Sequence, residues 1–161
     1  MVEILAKNLK VPVTVKIRCL RTEEETLTLV KRIEAAGASW ITVHGRCKEH
    51  NKDKVGSANL AIIKKIKETL SIPVFANGGI SKFSDVEHAL KEAGVDGVMS
   101  SESILENPAL FANKTYDLDD LALEYFEMCD KYPGEHNIAH VKAHLFKILY
   151  AGLTKHTDLR S

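Results

Sequence analysis

Ile72-Pro73-Val74-Phe75-Ala76-Asn77-Gly78-Gly79-Ile80 reads as a fully buried strand that ends in backbone almost bare of side chains. Proline opens the apolar run and Asn-Gly-Gly stops it. Two glycines let exposed N–H groups approach a phosphate or a flat ring. Ser84-Asp85-Val86-Glu87 has the capping-box spacing of a helix start, which would add the positive end of a dipole just beyond. The same stretch also reads as a tight strand-to-helix turn with no ligand.

Working outward, the same unit recurs. Val11 to Arg18 is β-branched and alternating, with Lys16 and Arg18 sharing the parity of Thr14 opposite Val13, Val15 and Ile17. Thr22 followed by Glu25 predicts a capping box on a helix that runs to Ala36 and stops at Gly37. Trp40 to His44 is the next strand and runs straight into Gly45-Arg46-Cys47. A polar loop from Lys48 to Ser57 leads to Asn59, a predicted N-cap for a helix with Leu60, Ile63, Ile66 and Leu70 at helical spacing. A helix from Ser84 to Ala93, closing at Gly94, precedes a short strand at Gly97 to Ser100. Such alternation calls for parallel strands with helices outside, an α/β fold. Before the first strand, Val2, Leu5 and Leu9 mark the tail of a helix. After Asn113 to Asp117 the strand signal vanishes, and helices are expected over Leu118 to Lys131 and Ile138 to Tyr150. The second carries Ile138, Val141, Leu145 and Ile148 as its buried stripe.

Composition narrows the class. The 161 residues are 45% hydrophobic and 27% charged, ordinary for a globular domain with a real core. Lys+Arg and Asp+Glu are both 22, so any nucleic-acid contact has to come from a local patch. Three widely spaced cysteines, Cys19, Cys47 and Cys129, suit reduced thiols better than a disulfide framework or a zinc site, which points to the cytoplasm, with the nucleus as alternative. No segment approaches a membrane span and no signal peptide is read, so no membrane partner is expected.

In parallel α/β proteins ligands sit at the C-terminal ends of the strands. Those ends hold Lys16 and Arg18, His44, Asn77-Gly78-Gly79, and Ser101-Glu102. Singly, Lys16 reads as an ion-paired strand residue and His44 as a satisfied core histidine. Together they supply donors for an anionic or electron-accepting ring and a phosphate cradle.

Val13-Thr-Val-Lys-Ile-Arg18, Ile41-Thr-Val-His-Gly-Arg46, Pro73-Val-Phe-Ala-Asn-Gly-Gly-Ile80, and Asp96-Gly-Val-Met99 followed by Glu106-Asn-Pro-Ala-Leu-Phe111 closely resemble the tRNA-dihydrouridine synthases. Ser-Ser-Glu within Met99 to Ser103 and the Val141 to Lys147 helix are most similar to the eukaryotic D-loop branch. The resemblance implies FMN-dependent, NADPH-driven reduction of the uridine C5–C6 bond in tRNA, on a TIM barrel followed by a helical RNA-recognition domain. It implies that Lys16 and His44 lie against the flavin ring and that Asn77, Gly78 and Gly79 meet the ribityl phosphate. Arg18 and Arg46 would face substrate, and Lys142, His144 and Lys147 would contact tRNA. Ser101 and Glu102 stand where relatives usually have Gly-Arg, which puts Glu102 in doubt as a phosphate ligand. Cys47 replaces a usual threonine and His50 a common glutamine.

The family's proton-donating cysteine, in an Asn-x-Gly-Cys-Pro context, has no counterpart here, so no catalytic residue is assigned. Its first four strands are missing too. The resemblance therefore implies the C-terminal half of a (β/α)8 TIM barrel over residues 1–112, followed by part of a small all-α domain over 113–161, inactive alone. A missing N-terminal barrel half, or self-association, would cover the open sheet edges. His136, His140 and His144 have a spacing that can bind metal, but without a completing ligand a solvated or RNA-facing stripe is the better reading. The alternatives are a non-catalytic tRNA-binding fragment and a phosphate-binding small-molecule barrel enzyme.

Overall fold

Alternation decides the first strand. In β1 (Thr14–Cys19) Val15 and Ile17 are half-buried while Thr14, Lys16 and Arg18 are exposed on the other face. The computed structural model describes residues 1–47, 57–134 and 137–160. The expectations placed on the 48–56 loop, His50 included, and on His136 lie outside the described residues. A short helix α1 (Val2–Asn8) precedes β1. Thr22 then opens α2 (Glu23–Ala35) with the expected capping box. Its hydroxyl accepts from the Glu25 N–H at 3.1 Å, and the Glu25 carboxylate accepts from the Thr22 N–H at 3.2 Å.

The chain continues through β2 (Trp40–Cys47), α3 (Leu60–Thr69), β3 (Val74–Asn77), α4 (Phe83–Ala93) and β4 (Gly97–Met99). Asn59 caps α3 as expected, its side chain accepting from the Ile62 N–H at 3.1 Å. The box expected at Ser84 is corrected: α4 begins at Phe83, so Ser84 lies inside the first turn and cannot be the cap.

All strand pairs are parallel and the order is β1-β2-β3-β4. Sequential order without reversal is that of consecutive βα units in a (β/α)8 barrel; a doubly wound sheet would reverse at a switch point. The chain thus holds four parallel strands of a half-barrel. Its core lies between sheet and helices, where Val30, Ile41, Val43, Ile63, Ile66 and Val74 are all 0% exposed. Each contributes about 1.5–3 kcal/mol of burial.

Polar clamps fix the strand entrances and exits. The Val74 N–H donates to Asp96 Oδ2 at 2.7 Å, and Lys67 Nζ donates to the same carboxylate. Glu34 Oε1 accepts from the Ser71 and Ile72 N–H groups at 2.7 and 3.2 Å. Buried Thr26 ties the exit of β1 to the first turn of α2, accepting from the Leu20 N–H at 3.0 Å and donating to the Thr22 carbonyl at 2.9 Å.

Two compact units account for the chain: Met1–Ile80 with Ser84–Ser100, and Ser81–Phe83 with Ser101–Ser161. The second contains α5 (Glu102–Glu106), a 3-10 turn (Leu110–Ala112), α6 (Leu118–Lys131), α7 (Ile138–Ile148), α8 (Tyr150–Lys155) and a 3-10 turn (Thr157–Arg160). Asn107 locks the approach to α6: its Oδ1 accepts from the Ala109 N–H and its Nδ2 donates to the Lys114 carbonyl, both at 3.0 Å. Two expectations are corrected here. The helix read to Tyr150 stops at Ile148, because Leu149 with ψ of 3° interrupts the helical turn before α8. Of the expected stripe Ile148 is buried and Val141 and Leu145 are half-buried. Ile138, the first helical residue, is 87% exposed, since a helix end is covered on fewer sides than its middle. Among the described residues no helix is long and apolar enough to cross a membrane.

Candidate flavin and substrate face

Register turns the strand motifs into rows. Residues paired across parallel strands leave the sheet on the same face. Arg18 pairs with His44, His44 with Asn77, and Asn77 with Met99, so these positions form one row across the C-terminal edge of the sheet. Lys16, Thr42, Phe75 and Gly97 form the row behind it. On the same face Trp40 stacks on Phe75 with ring centroids 5.7 Å apart. Gly97 leaves room for that stack, since a Cβ there would lie 3.1 Å from the Phe75 ring. The face therefore carries an aromatic pair at Trp40 and Phe75 and cations at Lys16, Arg18 and Arg46 on β1 and the end of β2.

His44 is the centre of the row. Arg46 Nη1 lies 3.4 Å from its Nε2. A guanidinium carries only donors, so Nε2 has to accept and the ring proton belongs on Nδ1. Burial and then the Arg18, Arg46 and Lys16 charges hold the imidazole below its ordinary value of 6.5, which keeps it neutral. The ring also lies against the glycine turn: a Cβ on Gly78 would sit 2.6 Å from His44 Cδ2 and 2.8 Å from Nε2. With φ of +95°, Gly78 is required on both counts; Gly79, with φ of +75°, is required by its backbone alone, since among the described residues a Cβ there would meet Ala58 at an ordinary 3.9 Å.

Behind the turn is a cleft of about 160 Å³ lined in part by Ala58, Gly78, Gly79, Asp85 and His88. Asn77 is buried and its Nδ2 donates to the Met99 carbonyl at 2.8 Å, so the amide joins the ends of β3 and β4. The Ser100 hydroxyl donates to the Ile80 carbonyl at 2.9 Å and closes the same edge. An open backbone at Gly79, a small cleft beside it and cations in the adjoining rows fit a phosphorylated, electron-accepting ring.

The dihydrouridine synthase (Dus) model matches residues 1–158. The chain belongs to the dihydrouridine synthase family. It is 39% identical over 160 residues to the mouse protein described as tRNA-dihydrouridine(16/17) synthase [NAD(P)(+)]-like, covering 99% of this chain and 33% of that one. The Saccharomyces cerevisiae tRNA-dihydrouridine(16/17) synthase is 37% identical over 172 residues, covering 100% of this chain and 41% of that one. The chain thus spans well under half the length of these relatives. Among solved structures, a mandelate oxidase with benzoyl-formic acid aligns with TM-score 0.46 and 24% identity over 60% of this chain and 34% of that one, which adds nothing on function.

In this dihydrouridine synthase chain the first unit brings together Lys16, Arg18, His44, Arg46, Asn77, Gly78 and Gly79. Ser101 and Glu102 stand at the start of the five-residue α5 in the second unit, both exposed, with no side-chain cap bond from Ser101. Lys142, His144 and Lys147 are on α7 but do not share one face. At about 100° per residue, His144 and Lys147 are neighbours while Lys142 lies nearly opposite. His144 tilts against Tyr125 of α6 with centroids 5.7 Å apart. Among the described residues no group of three or more His, Cys, Asp and Glu side chains is placed to hold a metal ion. Sequence reading missed the Trp40–Phe75 floor and the contribution of Ala58 and His88 to the cleft. These come from non-local packing, and only the glycine at position 97 hinted at a large neighbour.

Proposed function

We propose that this chain is the FMN-binding and tRNA-binding portion of a tRNA-dihydrouridine synthase, with residues 1–112 serving the flavin and 113–161 the tRNA. The carrying observation is the row Arg18, His44 and Asn77 set beside the Gly78-Gly79 turn, with His44 held neutral among three cations. Bound FMN, reduced by NADPH, would supply hydride to the uridine C5–C6 bond. Lys16 would hold the polar edge of the ring and offset negative charge there, and His44 would lie against it as a neutral group. The Gly78-Gly79 backbone would receive the phosphate. Ser101 and Glu102 would contribute backbone N–H groups only, since a carboxylate does not suit an anion. Arg18 and Arg46 would face the substrate, and Lys142, His144 and Lys147 the tRNA, in the cytoplasm.

The chain's own thiols support inactivity in isolation. Cys19 shares the parity of Val15 and Ile17, and Cys47 pairs with it, so both leave the sheet on the face opposite Lys16 and His44. Neither is placed to donate a proton on the flavin side.

Titrating FMN with the purified chain should quench flavin fluorescence, and Lys16→Met should weaken that quenching about tenfold or more. Unmodified tRNA with FMN and NADPH should remain unreduced; turnover by this chain alone would overturn its assignment as an incomplete enzyme. Saturable tRNA binding with no FMN binding would leave a non-catalytic RNA-binding role.

A further inference from the structure

We infer that Cys19 and Cys47 form a dithiol site that closes to a disulfide under mild oxidation, tying the end of β1 to the end of β2. Up to Arg18 and His44 the two strands pair residue for residue; the register then jumps and Cys19 pairs with Cys47. Without that bulge Cys19 would face Gly45. The bulge is built in, because the Gly45 carbonyl accepts from the Asn59 N–H at 2.7 Å, and a Cβ on Gly45 would lie 2.9 Å from the same nitrogen.

Paired positions on neighbouring strands lie about 4.8 Å apart, inside the window of about 4.4–6.8 Å that a disulfide spans between Cα atoms. Each thiol already reaches across. Cys19 Sγ contacts the His44 carbonyl at 3.5 Å, and Cys47 Sγ contacts the Leu20 carbonyl at 3.0 Å. Cys19 is 5% exposed and Cys47 is half-buried, so a soluble oxidant meets Cys47 first and Cys19 resolves. Both lie on the face away from the row around His44, so the site is separate from the proposed flavin site.

The oxidant is a low-molecular-weight disulfide. The Cys47 thiolate attacks one of its sulfurs, forming a mixed disulfide and expelling one small thiolate. The Cys19 thiolate then attacks Cys47 Sγ and expels the second. Two protein thiols lose two electrons to the reagent, and their two protons end on the two small thiols. Burial, together with the Cys47 thiol, pushes the Cys19 thiol up to about 11. Since the thiolate is the nucleophile, closure should quicken about tenfold per pH unit through the neutral range.

The test treats the native chain with oxidised glutathione and follows intact mass and peptide maps. Expected is a loss of about two mass units with Cys19 and Cys47 joined in one cross-linked peptide, faster in the native than in the urea-denatured chain. The same product should form in Cys129→Ala and be absent in Cys47→Ser. A lasting glutathione adduct on Cys47 with Cys19 free, a link through Cys129, or equal closure rates in native and denatured chain would overturn the inference. Because the wild-type map reads the linkage directly, the result stands even where a variant fails to fold.

Discussion

His44 is where the residue scale matters most. Its ring fills the space a Cβ on Gly78 would need, and its Nε2 faces the Arg46 guanidinium, a contact that needs the neutral imidazole. With its pKa lowered in the folded chain from 6.5, the unfolded chain binds the proton first as pH falls. The stabilisation is therefore present above about pH 6.5 and lost on acidification below it. A 15N-edited NMR titration should show His44 titrating below 6.5, and His44→Gln should flatten the fall in thermal midpoint as the pH drops below that value. A ring that titrates at or above 6.5 would contradict the reading. Candidates for this site were legible because Arg18, His44 and Asn77 lie toward the C-terminal ends of their strands, with Lys16 one row behind. Their relations were not, since parity along one strand says nothing of which residue stands opposite on the next.

Among the elements, β3 depends on a side chain far away in sequence. The amide of fully buried Val74 donates to Asp96, which Lys67 also holds. Lys67 and then the Val74 N–H keep the Asp96 carboxyl below its ordinary 3.8. That stabilisation is present above about pH 3.8 and lost as pH falls through the lowered value. Lys67 is partly solvated, so Lys67→Ala should cost about 0–1 kcal/mol. Asp96→Ala leaves a buried N–H unpaired and should cost about 1–3 kcal/mol. Urea denaturation of both variants checks the order, and equal losses would place the stabilisation in the ion pair. The strands and the helices α2 and α3 between them were readable: the Thr22-Glu25 box, the Asn59 cap and the alternation of β1 are local. What failed was where competing starts and stops are equally local. Ser84 sits one residue into α4, Leu149 breaks a helix whose apolar spacing continues through it, and α5, five residues long, carries too little periodicity to be seen.

For the whole molecule the deciding quantity is charge. Twenty-two cations balance 22 anions, so no long-range field draws the chain to a polyanion. The proposed tRNA contact then rests on Lys142 and Lys147, which lie on different sides of α7, with His144 set against Tyr125. Each lysine that neutralises a phosphate contributes a slope of about −0.9 on duplex, or about −0.7 on single strands, to log K against log salt. Two such contacts predict a total slope of about −1.4 to −1.8 for this chain. Because the lysines point apart, each should be lost separately: Lys142→Ala and Lys147→Ala should each make the slope shallower by about 0.7–0.9, and the double variant should bring it close to zero. Filter binding of tRNA across about 50 to 200 mM salt reads this directly. A slope that stays at about −1.4 to −1.8 in the double variant would move the contact off α7, onto the Arg18 and Arg46 edge of the sheet.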